Sequence, residues 1–138
     1  MTSNLSTHGL HDAAQMGMRT AIGVIFIVHG FGKFGNPGFG GWISSMGIPA
    51  EMQIPIALAE FIPGILLLLG VLTRISASLI SIVMLGAIFL VKGGTSLTGD
   101  GGYELDLILL AACLVVIVAG PGRVSLSYAL KKVPRVLQ

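Results

Sequence analysis

Four long apolar runs, each bounded by polar, glycine or proline residues, divide the chain. They predict helices over roughly 13–34, 54–72, 75–91 and 103–119. A bilayer core about 30 Å thick takes about 20 apolar residues per helix, so each run is read as a membrane span. The stretches 65–69 and 107–118 are solidly apolar and lack the period-2 alternation of a membrane barrel. Backbone groups in lipid must be bonded within their own segment, which leaves helices. The expected fold is an all-α, integral membrane four-helix bundle forming a single domain over 1–138. The second and third helices are expected to be joined by a short turn at Thr73–Arg74. The other two connections, 35–53 and 93–102, are longer and glycine-rich.

Composition agrees with this pattern. Of 138 residues, 54% are apolar and only 10% charged, far below the quarter or so usual in soluble domains. Mean hydropathy is +0.92. The net charge of +2 is no nucleic-acid footprint. The single cysteine excludes an intrachain disulfide and a cysteine-based metal cluster. The lysines and arginines are unevenly placed: Arg19, Arg74, Arg123, Lys131, Lys132 and Arg135 fall on one side, Lys33 and Lys92 on the other. By the positive-inside rule both termini are expected to be cytoplasmic, in a multi-pass protein of the cell membrane. No cleavable signal is read in the first run, because Gly35-Asn36-Pro37-Gly38 offers no small-x-small site.

Ionisable residues inside a span are costly and are candidate functional groups. His29 lies roughly 7 Å, and Glu60 roughly 9 Å, below the outer ends of their helices at 1.5 Å per residue. Glu104 and Asp106 stand in the first turn of the fourth helix, and Lys33 and Lys92 close the first and third. All four helices thus bring polar groups to the same outer half. His29 and Lys33 share a helix face. Gly23 and Gly30 fall on the neighbouring stripe, where they would let another helix come close. Pro63 cannot donate to the Ala59 carbonyl, so a bend is expected beside Glu60. Glu60 and His29 are the candidate proton-handling residues; Lys33, Lys92 and Glu104 are the candidate ligand-binding cluster. Equally, Glu60 could pair with Lys33 or Lys92 simply to hold the bundle together. Glu104 and Asp106 lie about 200° apart on a helix, so at most one faces inward.

Other features carry less. In the 35–53 loop, Trp42, Ile43 and Met46 share one face of a short helix, read either as an interfacial anchor or as a lid over a lipid-accessible pocket. Gly32-Lys33 ends a membrane helix and lacks the remaining residues of a phosphate loop. His8, His11 and Asp12 have metal-like spacing but fall in what reads as a polar N-terminal tail, so no metal site is expected. Cys113 reads as packing, and Arg74 and Arg123 as snorkelling anchors.

These residues together resemble the DoxX-like family of small membrane proteins. The resemblance rests on Arg19 with Gly23, His29-Gly30 with Lys33, and Glu60 with Gly64. It continues through Leu69-Gly70 with Thr73-Arg74 and Gly101-Gly102-Tyr103-Glu104, and closes on Gly120-Pro121-Gly122-Arg123 with Ser125. It implies a four-helix bundle. The family is named for a membrane subunit of thiosulfate:quinone oxidoreductase, so the resemblance also implies quinone-linked redox work in a membrane complex. No cofactor is expected within the chain itself; a quinone from the bilayer is the implied ligand, and other membrane subunits are the implied partners. The alternative is a non-catalytic accessory subunit of a larger respiratory or monooxygenase-type complex, with Glu60 and the lysines as structural pairs.

Overall fold

The computed structural model describes residues 4–122, 124–130, 134 and 137. The regular elements among the described residues are all helical: α1 (Asn4–Lys33), α2 (Pro37–Ser45), α3 (Gln53–Leu69), α4 (Thr73–Gly86), α5 (Glu104–Ala119) and a short α6 (Leu126–Leu130). A 3-10 turn, Ala50–Met52, leads into α3, and a π-helical turn, Ala87–Val91, extends α4. Three stretches are long and apolar enough to cross a membrane: Gly9–Lys33, Ala50–Leu69 and Thr73–Val91. The fourth expected span, α5, has 16 residues. It rises roughly 24 Å, somewhat less than a bilayer core about 30 Å thick.

The four long helices close a ring. α1 lies most extensively on α3, α4 on α5, and α3 on α4, and a smaller α1–α5 contact completes it. At the centre pack Ile22, Phe26, Leu67, Ala77, Ile80, Met84, Leu109, Cys113 and Val116. Cys113 is fully buried there, as a packing residue should be. The outer faces are just as apolar: Val28, Phe31, Ile82, Phe89, Ile108 and Val118 are all exposed. A water-soluble bundle would put polar residues on those faces, whereas in lipid they are the solvent-matched surface.

Glycine sets the α1–α3 seam. A Cβ on Gly23 would sit 2.7 Å from the Gly64 carbonyl oxygen, and one on Gly30 would sit 2.7 Å from the Phe61 amide nitrogen. The backbones touch where side chains would otherwise hold them apart.

Two boundaries differ from the sequence reading. α1 begins at Asn4, so His11 and Asp12 lie on helix rather than in a tail; the side chain of His8 lies outside the described ones. The expected Thr73–Arg74 turn is instead the first turn of α4. The connection is made by residues 70–72: Gly70 takes a left-handed conformation (φ 73°) and donates to the Leu66 and Leu67 carbonyls, while Val71 donates to Leu66. This is the glycine-stopped helix end that lacks a Cβ penalty. Pro63 lies buried inside α3, which continues through it as helix.

Arg19 is the largest fully buried side chain. Its Nη1 donates to the Leu67 carbonyl at 3.0 Å and its Nη2 donates to the Val124 carbonyl. It therefore joins the end of α3 to the segment before α6, and Ser127 reinforces the join by donating its amide to Gly70 O. Arg74 lies at the same end of the bundle, its Nη2 3.4 Å from the Val118 carbonyl. Arg123, Lys131, Lys132 and Arg135, which complete the basic side in the sequence reading, fall outside the described residues.

Candidate functional site

The opposite end of the bundle holds the ionisable groups. Lys33, the last residue of α1, reaches across to α3 and forms an ion pair with Glu60 Oε1. The Glu60 side chain is only 4% exposed and that of Lys33 25%, so the pair sits at the edge of the protein interior. The second carboxylate oxygen of Glu60, Oε2, is buried without a hydrogen-bond partner among the described residues. Buried acceptors are nearly always satisfied, so an orphaned one calls for an explanation. One turn below, Pro63 removes the amide that would normally bond the Ala59 carbonyl.

A second ion pair joins Lys92 to Asp106 Oδ2 on α5, and Lys92 also donates to the Gly102 carbonyl at 3.0 Å. The π turn sets this up. Lys92 N bonds Ala87 O across five residues, which widens the last turn of α4 and ends it at Lys92.

Between these pairs lies a cavity of about 340 Å3. Its roof is α2, through Phe39, Trp42 and Ile43, with Met46 directly after it. One wall is α3, through Ile56, Ala59 and Glu60; the other is α4 and its π turn, through Val83, Ala87 and Leu90. Lys33 and Lys92 also line it. The roof is well anchored. Asn36 caps α2 by accepting from the Gly38 amide at 3.0 Å, with Pro37 at the first helical position. Gln53 Nε2 donates to the Lys33 and Asn36 carbonyls, both at 2.7 Å, and so ties the ends of α1 and α2 to the start of α3. Lys33 Nζ also stands 5.3 Å from the Phe39 ring centroid. Trp42, Ile43 and Met46 therefore cover a pocket.

The sequence-derived candidates separate on this geometry. Lys33 and Glu60 are brought together, and Lys92 lines the same cavity but is bonded to Asp106. His29 is exposed, its ring meeting the Phe26 edge with centroids 6.1 Å apart. Glu104 is exposed in the first turn of α5, where it suits the positive end of the helix; Asp106 is the acid of the two that turns inward to a lysine. Phe39, Val83 and the π turn were not singled out in the sequence. Val83 and Ala87 are apolar residues within an apolar run, so nothing in the sequence marks their side of α4 as a cavity wall, and a π turn has no composition of its own.

A family model described as DoxX matches residues 14–93. The Bacillus subtilis protein named "Putative oxidoreductase CatD" is 36% identical over 100 residues, covering 72% of this chain and 75% of that protein. The Escherichia coli inner membrane protein YqjF is 30% identical over 129 residues, 89% of this chain and 96% of its own length. An uncharacterized Haemophilus influenzae protein is 36% identical over 88 residues, 62% of this chain and 58% of its own. No solved structure matches the chain.

Proposed function

The chain belongs to the DoxX family of membrane proteins, and from that premise we propose that it is the small membrane subunit of a redox complex, with a lipid-borne quinone held in the cavity beneath α2. The observation that carries this reading is the Lys33–Glu60 ion pair at the wall of a cavity whose other lining residues, Lys92 apart, are apolar. Ligand cavities run from about 300 to 1,000 Å3, and apolar walls with a few convergent polar groups are their usual make-up. A quinone ring fits both the volume and the polar end. The name of the Bacillus subtilis relative, "Putative oxidoreductase CatD", supports the same direction.

When bound, the quinone would supply two-electron, two-proton chemistry. The chain's own residues would orient its ring and handle the protons. Lys33 Nζ would donate toward a ring oxygen and offset negative charge developing there. Glu60 would exchange the proton at the same oxygen. His29, one turn deeper than Lys33 and exposed on α1, does not line the cavity, so the reading rests proton exchange on Glu60. Lys92 and Glu104 complete the polar end of the bundle, and α2 keeps outer water from the ring. The second electron carrier belongs to a partner subunit. In this reading the four long helices span the bilayer with both termini in the cytoplasm, since six basic residues to two favour that side.

The two ion pairs favour a second reading, an accessory subunit in which they are interhelical struts. Glu60→Gln separates the two in the assembled complex. A proton-handling Glu60 predicts normal assembly and a strong fall in quinone-linked turnover. A strut predicts weakened assembly, partly rescued by Lys33→Met, which removes the stranded charge. Unchanged assembly together with unchanged turnover defeats the quinone reading.

A further inference from the structure

Resting on that reading, we infer that the rim of the cavity at Gly86 is a lateral portal, through which the apolar tail of a ring-headed lipid runs out into the bilayer between α3 and α4. The cavity holds about 340 Å3, near the small end of ligand cavities, which run from about 300 to 1,000 Å3. It houses a ring and not a long tail, so a lipid-borne ligand seated there must pass its tail through an opening.

Helix geometry locates that opening. Val83, Gly86, Ala87 and Leu90 line the cavity from α4 and its π turn, at the i, i+3, i+4, i+7 spacing of one helix face. Ile56 and Ala59 line it from α3. The residues one turn from Gly86 on its other side, Ile82 and Phe89, are exposed. Gly86, itself half-buried, thus stands on the border between the cavity face of the helix and its lipid face. It lies six residues before Lys92, so at 1.5 Å per residue the border is roughly 9 Å nearer the bilayer centre than that lysine. A ring held at the polar end would therefore send its tail toward hydrocarbon.

Neither backbone nor packing calls for glycine at this position. Gly86 has an ordinary right-handed helical backbone (φ −59°, ψ −45°), which any residue adopts. A Cβ on it would meet nothing within 4 Å, whereas one on Gly23, Gly30 or Gly64 would strike the backbone of a neighbouring helix. Glycine is a poor helix former, and in membrane helices small residues usually serve close approach, which is absent here. What the missing side chain leaves is open space at the cavity rim. Helical side chains lean back over the preceding turn, so one at position 86 would lie over Ile82 and Val83, across the border between lipid and cavity.

The test is a titration of the full chain in lipid nanodiscs with two probes, a decyl-tailed benzoquinone and the same ring with methyl in place of the decyl chain. Trp42 lines the cavity and is the only tryptophan of the chain, so its emission reports occupancy. The variants are Gly86→Ala, Gly86→Leu and Gly86→Phe, with Gly17→Phe, exposed on α1, as control. All should fold and be no less stable than the unaltered chain, since a Cβ at 86 or 17 meets nothing. Affinity for the decyl-tailed quinone should fall stepwise from alanine to phenylalanine, by about tenfold at Gly86→Phe, as a side chain and a tail compete for one opening. Affinity for the methyl ring should stay unchanged, and Gly17→Phe should alter neither. Unchanged binding of the decyl-tailed quinone to Gly86→Phe overturns the portal. Equal weakening of both probes also overturns it, placing Gly86 against the ring, and leaves the quinone reading standing. A Gly86→Ala chain that unfolds more easily than the unaltered one overturns it by showing that the glycine serves packing. No saturable binding of either probe to the unaltered chain overturns the quinone reading and the portal together.

Discussion

Replacing Gly23 by alanine tests the α1–α3 seam that brings Lys33 to Glu60. The added Cβ would stand 2.7 Å from Gly64 O and 3.1 Å from Leu68 N, both backbone atoms. Ordinary contact begins at 3.4 Å, so the first of these is 0.7 Å short and no rotamer change can relieve it. Overpacking of this kind typically costs about 1–3 kcal/mol. Alanine's better helix propensity returns about 1 kcal/mol. Gly17 provides the control: it lies on the same helix, is exposed, and a Cβ there would meet nothing within 4 Å. Gly17→Ala should therefore gain up to about 1 kcal/mol, and Gly23→Ala should lose about 1 kcal/mol, a gap of about 2 kcal/mol between the variants. Equilibrium unfolding in mixed dodecylmaltoside–SDS micelles, followed by far-UV circular dichroism, measures that gap. Gly23→Ala as stable as Gly17→Ala would refute the close approach of the two backbones.

Three further outcomes follow from other contacts. Lys92→Met or Asp106→Leu alone should destabilise the bundle by about 1–3 kcal/mol by stranding the partner's charge, and the double variant should recover part of the loss; additive losses in the same unfolding assay would show that the pair is not coupled. Arg19→Lys keeps the charge but loses the fork that bonds Leu67 O and Val124 O together, so amide hydrogen exchange over 124–130 should quicken several-fold while the α1–α3 seam keeps its protection. Single cysteines in a Cys113→Ala background should place Leu10→Cys on the cytoplasmic side and Thr98→Cys outside; labelling of Leu10→Cys by an impermeant reagent added to intact cells would invert the orientation.

Much of the helical plan was legible because lipid demands long apolar runs, and such runs are hard to misread. Gly23 and Gly30 were legible as close-approach positions from their spacing alone, and Cys113 as packing from its apolar neighbours. Boundaries were less so. Residues 4–12 are polar and give no membrane signal, yet α1 continues through them. The hydropathy run points to a turn at Thr73–Arg74 although the left-handed stop is Gly70, because apolar Val71 and Leu72 extend the run past the end of the helix. At the site, depth along the chain brought Lys33, Lys92 and Glu60 to one end, but depth does not choose partners. The choice of Asp106 over Glu104 by Lys92 depends on the π turn. The burial of Arg19 depends on carbonyls 48 and 105 residues away. Both are tertiary facts that no local pattern encodes.

The most direct test of the cavity is photolabelling of native membranes with an azido-quinone, followed by peptide mapping. A quinone held beneath α2 should label the α2 roof around Phe39 and Trp42, the Ile56–Ala59 wall of α3 and the π turn at Ala87 and Leu90, and excess unlabelled quinol should suppress that label. Label confined to the lipid-facing side of α5 around Ile108 and Val115, unaffected by competitor, would contradict it.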